Sequence, residues 1–288
     1  MQIVSLIARP GTLDTALVES LRNALGGGPV TVLSDGEAAE FPVEAVPGNF
    51  EEVRASLAQQ ADLNVLPAEG RRKKMLLADM DSTMIQQECI DELAEEAGVG
   101  AHVKEITARA MNGELDFEGA LTERVALLKG LPESVIGKVL ETRITLMPGG
   151  PELVATMKAN GAYAALVSGG FTAFTARVAE KIGFDENRAN TLLTEDGKLT
   201  GVPARPILGR EAKVQALEEI TARLGILEDD VLAVGDGAND LGMLGRAGFG
   251  VALHAKPSVQ AECALRVNLG DLTALLFLQG YARSEFAG

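Results

Sequence analysis

The chain has 288 residues, about twice a common domain length, and 47% of them are hydrophobic, enough for a buried core and too many for a disordered chain. Its 41 acidic and 26 basic residues leave a net charge of −15, which repels phosphate backbones and anionic lipid; no nucleic-acid or membrane partner is expected. Cys89 and Cys263 lack CxxC spacing, and His102 and His254 stand alone, which argues against a disulfide scaffold and against thiolate or multi-histidine metal centres. The opening MQIVSLIARPG has no basic n-region or cleavage signal and reads as a strand. The apolar run at 272–278 is far too short to span a bilayer, and a cytoplasmic location is expected.

Residues 2–8 form an apolar strand candidate, and 12–25 carry helical spacing that stops at Gly26-Gly27-Gly28. Short strands are predicted at 30–33 and 41–46, a helix at 50–60 and a strand at 62–66. This βαββαβ order predicts a ferredoxin-like α+β domain over residues 1–70. The stretch PAEGRRKK at 67–74 reads as a solvated linker. From Met75 the pattern changes. Unbroken apolar runs at 75–78, 162–167 and 231–234 end on Asp79, on Ser168-Gly169-Gly170 and on Gly235-Asp236-Gly237, each ahead of a helical segment. Such alternation predicts a Rossmann-like α/β core, a parallel sheet covered on both faces, over residues 71–288. Ligands bind beyond the carboxyl ends of such strands, so the three polar ends should converge. Helices predicted at 88–98, 101–111, 117–129 and 132–141 make residues 86–146 an inserted helical cap. Residues 191–202 read as a hairpin, with Asp196-Gly197 supplying a type I′ turn.

Asp79-Met80-Asp81-Ser82-Thr83 sets two carboxylates just past a buried strand, a costly arrangement unless a cation or proton compensates. One carboxylate can attack an electrophile to form an acyl phosphate, while the other protonates the leaving oxygen and later activates water. Gly235-Asp236-Gly237-Ala238-Asn239-Asp240 superficially matches a dinucleotide fingerprint, but Asp240 replaces the third glycine and Asp236 sits where pyrophosphate would lie. Oxygen ligands of this kind suit magnesium, with Asp79 and Asp236 as ligands and Asn239 or Asp240 close by. Ser168-Gly169-Gly170 ahead of a helix at 171–182 offers a hydroxyl and free N–H groups to an anion. Lys213, at the start of a helix at 211–224, would offset crowded negative charge.

In this order, the four elements resemble the haloacid dehalogenase-like phosphohydrolases, and within them the phosphoserine phosphatase branch. The resemblance rests on DMDSTMIQQECIDELAEEAG, VSGGFT and AVGDGANDLGML and spans residues 75–288. It implies that Asp79 is the nucleophile and that Asp81 is the acid/base, its backbone carbonyl offered to Mg²⁺. It further implies that Ser168 and Gly169 hold phosphate, that Lys213 neutralises it, and that Asp236 binds metal with Asn239 and Asp240 in support. In the cap it implies Glu88 for a substrate ammonium, Arg124 for a carboxylate, and Met111 and Phe117 as apolar walls. The activity implied is Mg²⁺-dependent hydrolysis of O-phospho-L-serine, the last step of serine biosynthesis. Two alternatives stay open: another small phosphomonoester as substrate or phosphoryl donor, and a non-enzymatic amino-acid-responsive regulator. Met80 stands where the family usually has Phe, and Met84 replaces a common Leu. The first 70 residues resemble ACT-like modules, for which a structural or homodimer-forming role and amino-acid sensing both remain open.

Overall fold

The structure, a computed structural model, describes residues 1–57, 59–111 and 114–287, without the side chain of Met111. Strand β1 (Gln2–Ile7), helix α1 (Thr15–Ala24), β2 (Thr31–Ser34), β3 (Ala38–Val43), α2 (Phe50–Ser56) and β4 (Asp62–Pro67) follow the expected order. They build an antiparallel sheet in the order β2-β3-β1-β4. Asp14 starts α1 by accepting the Ala16 N–H at 2.9 Å. One sheet face packs on α1 and α2 through Val4, Leu6 and Phe41. The other face, with Ile7, Ala38 and Leu66, merges into the main core.

The main sheet begins with β5 (Met75–Ala78), whose four side chains are all buried. The cap helices α3 (Cys89–Glu96), α4 (Gly100–Met111), α5 (Phe117–Ala126) and α6 (Ser134–Thr142) follow. The chain leaves and re-enters the core as a paired neck, with an Ile85–Leu146 bridge and a 2.9 Å bond from the Met147 N–H to the Met84 carbonyl. Then come α7 (Gly150–Ala159), β6 (Tyr163–Phe171), α8 (Thr172–Ile182), β7 (Glu186–Asn190), and a hairpin of β8 (Leu192–Glu195) and β9 (Lys198–Pro203). Both turn residues of that hairpin have positive φ, 50° at Asp196 and 72° at Gly197, as a type I′ turn demands. The hairpin braces the cap through bonds of 2.8 Å from Leu199 N–H to Leu131 O and from Gly130 N–H to Leu199 O. Helix α9 (Arg210–Leu224), β10 (Val231–Gly235), α10 (Leu241–Leu244), β11 (Phe249–Leu253), α11 (Pro257–Glu262), β12 (Leu265–Val267) and α12 (Ala274–Leu278) complete the fold.

The six main strands run parallel in the order β12-β11-β10-β5-β6-β7. Alternate β5 side chains point to opposite layers: Leu76 and Ala78 join one core, Met75 and Leu77 the other. Because β5 pairs with both β10 and β6, with Ala78 level with Val234 and Leu166, the three polar strand ends are neighbours.

Two readings need correction. Ser168-Gly169-Gly170 lies within β6 rather than at a helix start, and α8 begins at Thr172. Pairing resumes at Phe171 opposite Asn190, and the Asn190 side chain holds the Gly169 carbonyl at 2.8 Å, so the extended backbone continues past the glycines. Within the basic stretch at 67–74, Arg71 also departs from the solvated reading, while Arg72 and Lys74 stay exposed. Arg71 is nearly buried, bonded to Glu40 at 3.0 and 2.5 Å and to the Leu278 carbonyl at 3.1 Å, because it bridges the two sheets' supporting layers.

Candidate active site

Asp79 extends β5 by one residue, its N–H bonded to the Val234 carbonyl at 3.0 Å. Its Oδ1 accepts from the Met80 N–H at 2.8 Å and lies 2.7 Å from Lys213 Nζ. Lys213 is 2% exposed, on the first turn of α9, and also reaches Asp240 Oδ1 at 2.5 Å. Asp240 is fully buried, and its Oδ2 accepts the Gly237 N–H at 3.0 Å. Gly235 makes that fold-back feasible, since a Cβ there would stand 2.3 Å from Asp240 Cγ. The Gly-x-Gly thus serves a buried carboxylate, which disposes of the dinucleotide reading on geometric grounds.

One ligand oxygen from each of Asp79, Asp236 and Asp240 falls within 4.8 Å of the others. Burial, and next the Asp240 carboxylate, push Asp79 well above the ordinary carboxylate range, while Lys213 pulls it back. The same two causes, in the same order, raise Asp236 to about 6. Burial alone would lower Lys213, but Asp79 and Asp240 together outweigh it and raise it. Asp79 and Asp240 share one buried lysine with Asp236 close by, and hard oxygen donors so arranged fit a metal ion. Asp81 contributes no carboxylate to this cluster. Its Oδ1 instead accepts the Cys89 N–H at the start of α3, at 3.1 Å. Burial, then Glu88, raise Asp81 to about 7, which suits a group that must both give and take a proton near neutrality.

Above these groups lies a cavity of about 570 Å³ between sheet and cap. Asp79, Asp81, Glu88, Phe117, Arg124, Ser168, Gly169, Asp236 and Asn239 line it, whereas Lys213 and Asp240 stand behind Asp79. The Phe117 ring covers Gly169, where a Cβ would meet it at 3.0 Å. Met111 ends α4, and its side chain lies outside the described residues. Glu88 faces the cavity, its carboxyl raised by its surroundings, burial first. Arg124 is lowered by burial, with Asp91 and Glu88 pulling the other way. Four contributors had no role assigned from the sequence, although Ser82 and Thr83 stand in the first motif. Thr83 donates to Asp236 at 3.3 Å, Asn190 fixes Gly169, Ser82 bonds Glu88, and Lys256 lines the cavity beyond the end of β11. For Lys256, its position after an apolar run at 249–253 was the available signal.

A parallel α/β sheet with acidic strand ends beneath an inserted helical cap is the architecture that the similar proteins share. The chain belongs to the haloacid dehalogenase-like hydrolases, whose family model matches residues 76–245. It is 42% identical over 255 residues to the phosphoserine phosphatase of Streptomyces coelicolor, covering 86% of this chain and 62% of that protein, so the chain spans less than two thirds of that relative's length. A HAD family hydrolase from Salmonella enterica serovar Typhi superposes with a TM-score of 0.88 at 33% identity, covering 96% of this chain and 98% of the other. A substrate-bound phosphoserine phosphatase complex gives a TM-score of 0.67 at 42% identity, covering 71% and 97%.

Proposed function

We propose that the chain hydrolyses O-phospho-L-serine to L-serine and phosphate through a phosphorylated Asp79. The observation that carries this reading is a carboxylate, Glu88, and a guanidinium, Arg124, brought together from the cap into the wall of the cavity onto which Asp79 opens. A zwitterionic amino acid needs a partner of each sign, and a guanidinium grips a carboxylate in two places. Phosphoserine phosphatases among the similar proteins support the same substrate.

Asp79 Oδ1 is engaged by Lys213 and the Met80 N–H, which leaves Oδ2 to attack phosphorus. As that bond forms, the bond from phosphorus to the serine oxygen breaks, and Asp81 gives its proton to the leaving oxygen. Asp81, now ionised, takes a proton from water, which attacks phosphorus and releases phosphate and the Asp79 carboxylate. Ser168 Oγ and the Gly169 N–H hold the phosphate oxygens, and Lys213 favours the ionised form of Asp79. Mg²⁺ is the metal this oxygen-donor set would take, held by Asp79, Asp236 and the Asp81 carbonyl with Asp240 and Asn239 in support; it supplies charge neutralisation to the transferring phosphoryl group. A cap seated over the site would exclude water from the first step.

Residues 1–70 are read as an ACT-like domain and 71–288 as the phosphatase domain, with 86–146 its cap. The bonds that lock the first sheet to the second favour a structural role over sensing, and a homodimer is the companion proposal. No described helix is long and apolar enough to cross a membrane; a cytoplasmic place in serine biosynthesis is the matching proposal. Phosphate release measured on phosphoserine, phosphothreonine, phosphoethanolamine and glycerol phosphate, with and without chelator, tests the reading. Phosphoserine should lead the panel, and chelation should abolish its turnover. Equal rates across the panel would remove the amino-acid assignment, and chelator-resistant turnover would remove the metal.

A further inference from the structure

Ser82 has a φ of +54°, a left-handed conformation that side chains with a Cβ rarely hold and that glycine would occupy freely. Strain of this kind persists where something else requires the residue. Here the extra group over glycine is a hydroxyl, and it donates to Glu88 Oε1 at 2.7 Å. Among the described residues no other donor reaches that carboxylate. The Ser82 N–H also bonds the Gln87 carbonyl at 3.2 Å, one residue from the bond that fixes Asp81 to Cys89. Residues 81 and 82 are therefore stitched to residues 87–89, so that acid and amine partner share one short frame.

The geometry points to Ser82 as the positioning residue that sets selectivity for phosphomonoesters carrying an amino group, by fixing Glu88 Oε1 so that Oε2 faces the substrate ammonium. The inference rests on the reading of Glu88 as the ammonium partner. A hydroxyl bound to a carboxylate is worth about tenfold in an equilibrium or rate ratio.

Ser82→Ala removes the hydroxyl and keeps the strain, whereas Ser82→Gly removes both. Each is assayed for kcat/KM on phosphoserine and on 3-phosphooxypropionate, which lacks only the amino group. Because the ratio is taken on one preparation, it does not depend on how much of a variant is folded. Both variants should lose about tenfold of the wild-type preference for the amine-bearing ester, and Ser82→Ala should lose nothing further in a Glu88→Gln background. An unchanged ratio in both variants, a change in Ser82→Gly alone, or a full additional loss in the Glu88→Gln background would overturn the role of Ser82 while leaving the phosphoserine reading intact. A wild-type protein with no preference for the amine would overturn both.

Discussion

Two regions of this molecule bury carboxylates, and they do so in opposite ways. At the seam between the sheets, Asp62 is 7% exposed and accepts the backbone N–H groups of Asn268, Leu269 and Gly270 at 2.9, 2.8 and 3.1 Å. Beside it, Asn64 bonds both the N–H and the carbonyl of Arg266, at 2.8 and 2.9 Å, and so covers part of the edge strand β12. At the end of β5, by contrast, Asp79, Asp236 and Asp240 crowd together around a single buried ammonium. Asp62 and Asn64 at the seam thus find backbone partners on β12 and the loop after it. The site leaves negative charge short of partners, and a ligand can supply what is missing.

The largest test of this contrast is Asp79→Asn. Turnover of phosphoserine should fall by at least ~10³-fold, because no carboxylate remains to take the phosphoryl group. The melting temperature in chelator should stay level or rise, since one crowded acid is gone. A variant that melts well below wild type would show that Asp79 serves the fold as Asp62 does. Asp62→Ala should do the reverse. Three backbone donors lose their acceptor, at a cost of about 3 kcal/mol in chemical denaturation, with kcat per folded molecule retained. Substantial loss of kcat in the folded fraction would mean that the seam reaches the site.

The smallest effect concerns pH. In the metal-free protein, folded Asp81 holds its proton to about 7, whereas an unfolded aspartate releases it near ~3.9. Between those values the folded state binds more protons, so stability falls as pH rises through this window. Asp81→Asn should flatten that slope by an amount on the order of 2 kcal/mol, read from unfolding at pH 5 and 7 in chelator. An unchanged slope would place the titration elsewhere.

Much of the site was legible because its chemistry is local in sequence. Asp79, Asp81, Ser168, Asp236 and Asn239 each sit at or just past a short apolar run, and parallel-sheet geometry brings such ends together. Glu88 and Arg124 became recognisable through the motif around residue 88 and the resemblance, and the structure brings both to the cavity. The polar edge strand β7 and the three-residue β12 carry too few apolar residues to announce themselves. The course of β6 through Gly170 depends on Asn190, a partner some twenty residues away, and no local rule anticipates it.

The apolar runs ending in acid determined where the site would lie, since a continuous apolar run and the polar residue that stops it act without knowledge of distant contacts. Only the tertiary structure decided which acids share Lys213, which one turns toward the cap, and that Arg71 joins the first sheet to the main core. Those outcomes rest on distances of about 3 Å between residues far apart in the chain, and a hydrogen bond has no signature in either of its partners' sequence alone.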